Sequence, residues 1–166
     1  PLVIAGQGTA AKELIEDTPE LDYILAPVGG GGLLSGTLVA TNQLSPRTKV
    51  IAAEPQGADD AFRSWRAGYI IPSLTPNTIG DGLLTSLGEI NFEIMKKYLY
   101  DIITMDDHSA LFALKLVWER MKIIIEPSSA FALAVVLNHP EIFANKKVGI
   151  ILSGGNTDIM KISALF

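Results

Sequence analysis

The sequence predicts an α/β fold with three layers, in which a parallel sheet is covered by helices on both faces. Short apolar runs rich in β-branched residues alternate along the chain with longer helix-forming segments, and strands separated by helices form parallel sheets. The 166 residues are 48% apolar and 19% charged. This is a globular composition, and the length fits one domain.

Four strands are expected, each a short apolar run. They are residues 23–28, 49–54, 101–105 and 148–152. Ligands bind at the carboxyl ends of such strands. The segments that follow the first, second and last strands are therefore expected to converge in space; they are residues 29–32, 54–60 and 153–156.

Helices are expected before and between the strands. The predicted ranges are residues 9–17, 33–44, 58–67, 91–99, 107–122 and 127–138. Gly68 closes the third of them, Asp106 or Asp107 is expected to cap the fifth, and Pro127 suits the first turn of the sixth. Residues 69–87 are rich in Pro, Gly, Thr and Ser and are expected to form a long functional or mobile loop.

The composition excludes several classes of function. The formal net charge is −5 and no run of Lys and Arg exceeds two residues, so no nucleic-acid partner is expected. The absence of Cys excludes disulfides, thiolate catalysis and Cys-ligated metals. No apolar stretch is long enough to cross a membrane and no signal peptide is visible, so a cytoplasmic protein is expected.

Four consecutive glycines, Gly29, Gly30, Gly31 and Gly32, lie between a predicted strand and a predicted helix. Their backbone can curl tightly and expose successive N–H groups, and the following helix adds its positive N-terminal end. The sequence therefore predicts a phosphate site that needs no Lys or Arg. The alternative is a tight turn without a ligand, although such a turn needs only one or two glycines.

Five motifs in one order resemble the fold-type II, pyridoxal-phosphate (PLP) dependent serine/threonine dehydratase family. They are residues 27–33 (PVGGGGL), 78–82 (TIGDG), 118–122 (WERMK), 125–127 (IEP) and 152–156 (LSGGN). Residues 4–9 (IAGQGT) resemble the segment that precedes the phosphate loop in that family. Residues 118–122 and 125–127 are similar to the serine racemases in particular.

The resemblance implies a set of cofactor-binding residues. They are Gly29, Gly30, Gly31, Gly32, Gly82, Glu126, Ser153 and Gly154. The glycine loop would hold the PLP phosphate, and Ser153 would hydrogen-bond the pyridine nitrogen. A neutral hydroxyl leaves the ring a weaker electron sink than a carboxylate does, which suits β-elimination. From the residues alone, a helix cap is the favoured interpretation of Ser153. Glu126 is equally a capping carboxylate at the start of the helix that begins with Pro127.

The resemblance also implies a divalent cation site for Mg²⁺ or Ca²⁺. Glu54 and Asp60 would give carboxylate oxygens and Ala58 its carbonyl oxygen, ligands that suit these hard cations. The alternative from the residues is that Asp59 or Asp60 caps the next helix and that Glu54 is a solvated strand end.

Further positions are implied for an amino-acid substrate and for a nucleotide. Asp81 and Thr85 would lie at the substrate edge, although Asp81-Gly82 is equally a simple turn. Arg120, Lys122 and Asn156 match positions that bind ATP at the subunit interface of animal serine racemases. For Arg120 and Lys122, cations at a helix end are the alternative. The family implies a homodimer.

No lysine occurs in the Ser-Phe-Lys context that the family uses to attach PLP. The chain is therefore expected to be the C-terminal part of the PLP-binding large domain, inactive by itself, with the small domain and the lysine segment absent. Two other functions remain open from the sequence. One is a non-catalytic phosphate- or nucleotide-binding module, and the other is a dinucleotide-binding half, which the absent Gly-x-Gly-x-x-Gly pattern disfavours.

Overall fold

The computed structural model describes residues 1–166 and contains one sheet of four parallel strands. The strands are β1 (Tyr23–Pro27), β2 (Lys49–Pro55), β3 (Asp101–Met105) and β4 (Val148–Ile150). Their order in the sheet is β3-β2-β1-β4. The predicted parallel sheet is confirmed, with β4 two residues shorter than expected.

Eight α-helices connect and flank the strands. They are α1 (Leu2–Asp17), α2 (Gly32–Leu44), α3 (Asp60–Ala67), α4 (Glu89–Tyr98), α5 (Asp107–Leu116), α6 (Pro127–Asn138), α7 (Pro140–Phe143) and α8 (Ile159–Ser163). The last two were not predicted. No helix combines the length and the hydropathy that a membrane crossing requires.

The two faces of the sheet bury two separate cores. Ile24 and Ala26 of β1 point to the side that is covered by α1, α2 and α4, whereas Leu25 points to the side covered by α5 and α6. This alternation is the two-residue period of a strand. Because both faces are covered, the predicted three-layer architecture is confirmed.

Helix α1 begins at Leu2, seven residues before the predicted start at Thr9. Two glycines in this segment disfavour a helix by propensity, but the packing against α2 requires one of them. A Cβ on Gly8 would lie 2.9 Å from the carbonyl oxygen of Gly36, and a Cβ on Gly36 would lie 2.5 Å from the amide nitrogen of Gly8. The two helices therefore cross backbone to backbone.

Helix α5 ends at Leu116, earlier than predicted, and residues Val117–Met121 continue as a single π-helical turn. Lys122 stops this turn with a left-handed φ of 60°. At the other end, the Asp106 carboxylate accepts hydrogen bonds from the backbone N–H (2.8 Å) and the hydroxyl (2.9 Å) of Ser109, which confirms the predicted cap. Apart from a short 3-10 turn at Asp81–Leu83, residues 69–87 form the expected loop.

Candidate active site

A cavity of about 250 Å³ lies where β1 ends and α2 begins. The lining residues are Gln7, Pro27, Gly29, Gly30, Gly31, Gly32, Leu33, Gly82, Leu83, Glu126, Ser128 and Ser153. Seven of the eight predicted cofactor residues are in this set, and the eighth, Gly154, adjoins it. The cavity lies at the carboxyl end of the sheet, as expected for a parallel α/β fold.

The glycine loop forms one wall of the cavity. Gly31 precedes α2 with a φ of 87°, a left-handed conformation that glycine adopts without a steric cost. A Cβ on Gly29 would stand 3.0 Å from Cα of Leu83. The carbonyl oxygen of Gly30 is held by two donors, Asn91 Nδ2 at 2.5 Å and the Gly88 N–H at 3.2 Å.

The second wall contains Gly82 and helix α6. The Gly82 N–H donates to the Ser128 hydroxyl at 3.0 Å and to the Asp81 carboxylate at 2.9 Å. Asp81 is exposed and lies outside the cavity lining. Thr85 is also outside it, but its hydroxyl is 3.3 Å from where a Cβ on Gly29 would stand, so it packs beside the glycine loop.

Glu126 occupies the N-cap position of α6 but makes no side-chain capping bond. Its carboxylate is turned toward the cavity, where Oε1 lies 3.0 Å from the position of a Cβ on Gly154 and 3.7 Å from that of a Cβ on Gly82. Oε2 accepts from the backbone N–H of the exposed Asn156 at 3.2 Å. Glu126 therefore lies at the start of α6, as the alternative interpretation placed it, but its side chain does not cap the helix.

Ser153 follows β4 and caps no helix, because the next helix starts at Ile159 and is capped by Asp158. Its hydroxyl lies 2.9 Å from the hydroxyl of Ser129, which is fully buried in the first turn of α6. Ser129 Oγ also accepts from the Gly154 N–H at 2.9 Å. The end of β4 is thereby fixed to α6.

Glu54, Ala58 and Asp60 are buried at the junction of β2 and α3, outside the cavity lining. The two oxygens of Glu54 accept from the backbone N–H groups of Ala61 and Phe62, each at 2.8 Å. Glu54 itself therefore caps α3, and the expectation of a solvated strand end is wrong. The side chains of Asp59 and Asp60, which were the alternative candidates, do not cap this helix.

Burial raises the pKa of both carboxyl groups. It raises the pKa of Glu54 to about 8, although the hydrogen bonds from Ala61 and Phe62 oppose the rise. Burial likewise raises the pKa of Asp60, whose Oδ2 accepts from the Leu87 N–H at 3.0 Å. No group of three or more His, Cys, Asp or Glu side chains is arranged to hold a metal ion.

The predicted nucleotide residues Arg120, Lys122 and Asn156 are not in the cavity lining, although the Asn156 N–H donates to the cavity residue Glu126. Arg120 and Lys122 are exposed on the π-helical turn and beside it. None of the cavity residues is a lysine.

Sequence reasoning missed five cavity residues: Gln7, Pro27, Leu33, Leu83 and Ser128. A signal for Leu33 and Leu83 is present, because each directly follows a predicted glycine. Gln7 lies within residues 4–9, whose resemblance to the family was a signal for this segment, and the packing of α1 against α2 brings it to the cavity.

Known proteins are similar to this chain in both sequence and fold. The family profile described as pyridoxal-phosphate dependent enzyme matches residues 1–154. A beta-hydroxyaspartate dehydratase from Paracoccus denitrificans is 50% identical over 162 residues, which cover 98% of this chain and 51% of that protein.

Two solved structures are also similar. Serine racemase from Dictyostelium discoideum superposes with a TM-score of 0.88 at 53% identity, covering 94% of this chain and 51% of that chain. Maize serine racemase superposes with a TM-score of 0.90 at 40% identity, covering 98% of this chain and 51% of that one. The chain spans about half the length of the curated relatives it matches.

Proposed function

We propose, since the chain belongs to the pyridoxal-phosphate dependent enzyme family, that the whole protein is a PLP-dependent racemase and ammonia-lyase of β-hydroxy amino acids. Its reactions would be racemisation of serine and α,β-elimination from serine, threonine or hydroxyaspartate to a 2-oxo acid and ammonia. The supporting observation is the cavity that joins the glycine loop to Ser153 and Glu126.

The glycine loop fits the phosphate of the cofactor. Its missing Cβ atoms leave the backbone accessible, and the N-terminus of the 13-residue helix α2 adds a positive partial charge. Gly30 lines the cavity while its carbonyl oxygen is bonded to Asn91. Gly29, Gly30, Gly31 and Gly32 would therefore bind the phosphate through backbone groups.

On the opposite wall, Ser153 would face the ring nitrogen and Glu126 would lie beside the ring. PLP, when bound, supplies an electron sink for the bonds at the substrate α-carbon. A neutral Ser153 hydroxyl leaves that sink weaker than a carboxylate would, which favours elimination over transamination. Asp81 and Thr85, at the rim, are proposed to contact the amino-acid substrate.

The test uses the whole protein loaded with PLP. We expect ammonia and a 2-oxo acid from at least one of L-serine, L-threonine and hydroxyaspartate, and D-serine from L-serine on chiral chromatography. PLP binding without ammonia or D-serine from any of them would overturn the proposal in favour of a non-catalytic binding module. No observation favours that alternative, and the relatives described above are named as enzymes.

We also propose that the lysine that bonds PLP covalently lies outside residues 1–166, because no lysine lines the cavity. Borohydride reduction of residues 1–166 with PLP, read by intact mass, should then give no stoichiometric adduct. A single adduct at one lysine of this chain would contradict the proposal.

A cation site for Mg²⁺ or Ca²⁺ is proposed at Glu54, Ala58 and Asp60. The buried carboxyl groups of Glu54 and Asp60 and the Ala58 carbonyl supply oxygen ligands of the right kind, and water would complete the shell. The cation would displace the proton that burial holds on Glu54. Added Mg²⁺ or Ca²⁺ should raise the thermal unfolding temperature. Asp60→Asn should abolish that rise, whereas Asp59→Asn, the adjacent carboxylate, should retain it; no rise in the unmodified protein would contradict the site.

Nucleotide binding at Arg120, Lys122 and Asn156, a homodimer and a cytoplasmic location remain predictions. We expect the protein to bind ATP and Arg120→Ala to weaken that binding. We expect analytical ultracentrifugation to give the mass of two subunits.

A further inference from the structure

We propose that Ser129 is a positioning residue that makes Ser153 a hydrogen-bond donor toward the cofactor ring. The inference rests on the function proposed above, because it needs Ser153 to face the ring nitrogen. Ser129 does not line the cavity and would act only through Ser153.

The surroundings of Ser129 restrict what its hydroxyl can do. The residue is fully buried, so its partners are protein groups. Oγ lies 2.9 Å from Ser153 Oγ, 2.9 Å from the Gly154 amide nitrogen and 3.0 Å from the Gly154 carbonyl oxygen. The amide can only donate, so one lone pair of Ser129 is used there.

The single proton of Ser129 then has two acceptors, the Gly154 carbonyl oxygen and Ser153 Oγ. The carbonyl oxygen already accepts the Glu126 N–H at 3.0 Å, so it has a partner without Ser129. When Ser129 donates to Ser153, it fills a lone pair of Ser153 and leaves the Ser153 proton free to point into the cavity.

This arrangement matches an unprotonated ring nitrogen, which is an acceptor and needs a donor. Without the Ser129 hydroxyl, the exposed Ser153 side chain would lose the partner that sets its direction and its donor role. Glu126 is the one carboxylate in the cavity lining, and it is the other group that could determine whether the ring nitrogen carries a proton. The experiment therefore separates Ser129 from Glu126.

The probe is a pair of cofactors: PLP and 1-deaza-PLP, in which a C–H replaces the ring nitrogen. Their dissociation constants are measured on the apo form of the whole protein by absorbance titration. We expect the unmodified protein to prefer PLP by about 3- to 10-fold, the range of one net hydrogen bond. Ser129→Ala should remove this preference by weakening PLP binding while leaving 1-deaza-PLP binding unchanged.

Two control variants separate the possible failures. If Ser153→Ala removes the preference and Ser129→Ala retains it, the inference is wrong and the proposed cofactor orientation stands. If Ser153→Ala also retains it, the proposed orientation itself is wrong. Removal of the preference by Glu126→Gln but not by Ser129→Ala would likewise overturn the inference.

A purely structural role of Ser129 predicts a different result, namely equal weakening of both cofactors, and that result would overturn the inference. Thermal unfolding of the apo forms reports whether Ser129→Ala folds. If it does not fold, Ser129→Cys keeps a weak S–H donor at the same position. It should reduce the preference for PLP, and an undiminished preference would count against the inference.

Discussion

At the scale of single residues, the glycines of the loop differ in what they contribute. Only Gly31 has a left-handed backbone, with a φ of 87°, and a Cβ there would lie 2.8 Å from Asn91 Cβ and from Leu87 Cδ1. Gly29 is needed instead for the close approach of Leu83 and Gly82. The run of four glycines was informative in the sequence, but the reason for each one is visible only in the structure.

Gly31→Ala should therefore destabilise the protein by about 2 kcal/mol or more, the sum of the left-handed strain and the two steric contacts. Gly68→Ala is the matched control, because Gly68 has a φ of 81° but open space around a Cβ. It should cost about 1 kcal/mol. Equal losses of unfolding free energy, measured with urea, would show that the contacts with Asn91 and Leu87 do not contribute.

Because Glu54 is buried, the free energy of unfolding should depend on pH. Its pKa is raised by burial to about 8 in the folded state, so the folded protein holds a proton that the unfolded chain releases above about pH 4.5. Stability should thus decrease as pH rises from about 4.5 to about 8, measured by urea unfolding with a chelator present. Glu54→Gln should flatten this dependence, and an unchanged slope would assign it to another group.

At the scale of secondary-structure elements, the crossing of α1 and α2 shows why boundaries were mispredicted. The chain from Leu2 to Gly8 has a poor helix propensity, yet it is helical because Gly8 fits against Gly36. The local signals at Asp106, Gly68 and Pro127 did predict their helix ends, since caps and first-turn prolines depend on neighbouring residues only.

Gly36→Ala should destabilise the protein by about 3 kcal/mol, because its Cβ would lie 2.5 Å from backbone atoms of α1. Backbone atoms, unlike a side chain, cannot move aside by changing rotamer. Gly6→Ala lies in the same helix pair with nothing within 4 Å of its Cβ. It should stabilise by about 0.5–1 kcal/mol through helix propensity. Similar effects of the two substitutions on the unfolding midpoint would contradict the close crossing.

At the scale of the whole molecule, apolar side chains are exposed along a groove between α1, α2 and α4. Its volume is about 570 Å³, and Ile4, Val39, Leu44 and Ile90 are among its lining residues. Ile90 is 57% exposed, and Leu2 nearby in α1 is 89% exposed. Patches of this kind promote association in water.

Residues 1–166 prepared as an isolated chain should therefore self-associate and bind a hydrophobic dye. Ile90→Lys should reduce both dye fluorescence and the sedimentation coefficient, because it places a charge in the groove. Glu93→Lys, one turn further along α4, is the charge control and should leave dye binding unchanged. A compact monomer without dye binding would contradict this prediction.

The sequence by itself determined the layer architecture, because alternating strand and helix periods depend only on residue type and spacing. It also determined the glycine loop, Gly82, Glu126 and Ser153 as positions of interest, because their motifs are local. Only the tertiary structure decided that the Glu126 carboxylate turns to the cavity, that Glu54 caps α3 and that Ser129 supports Ser153. These contacts join residues that are distant in sequence, and burial and chain crossing determine them.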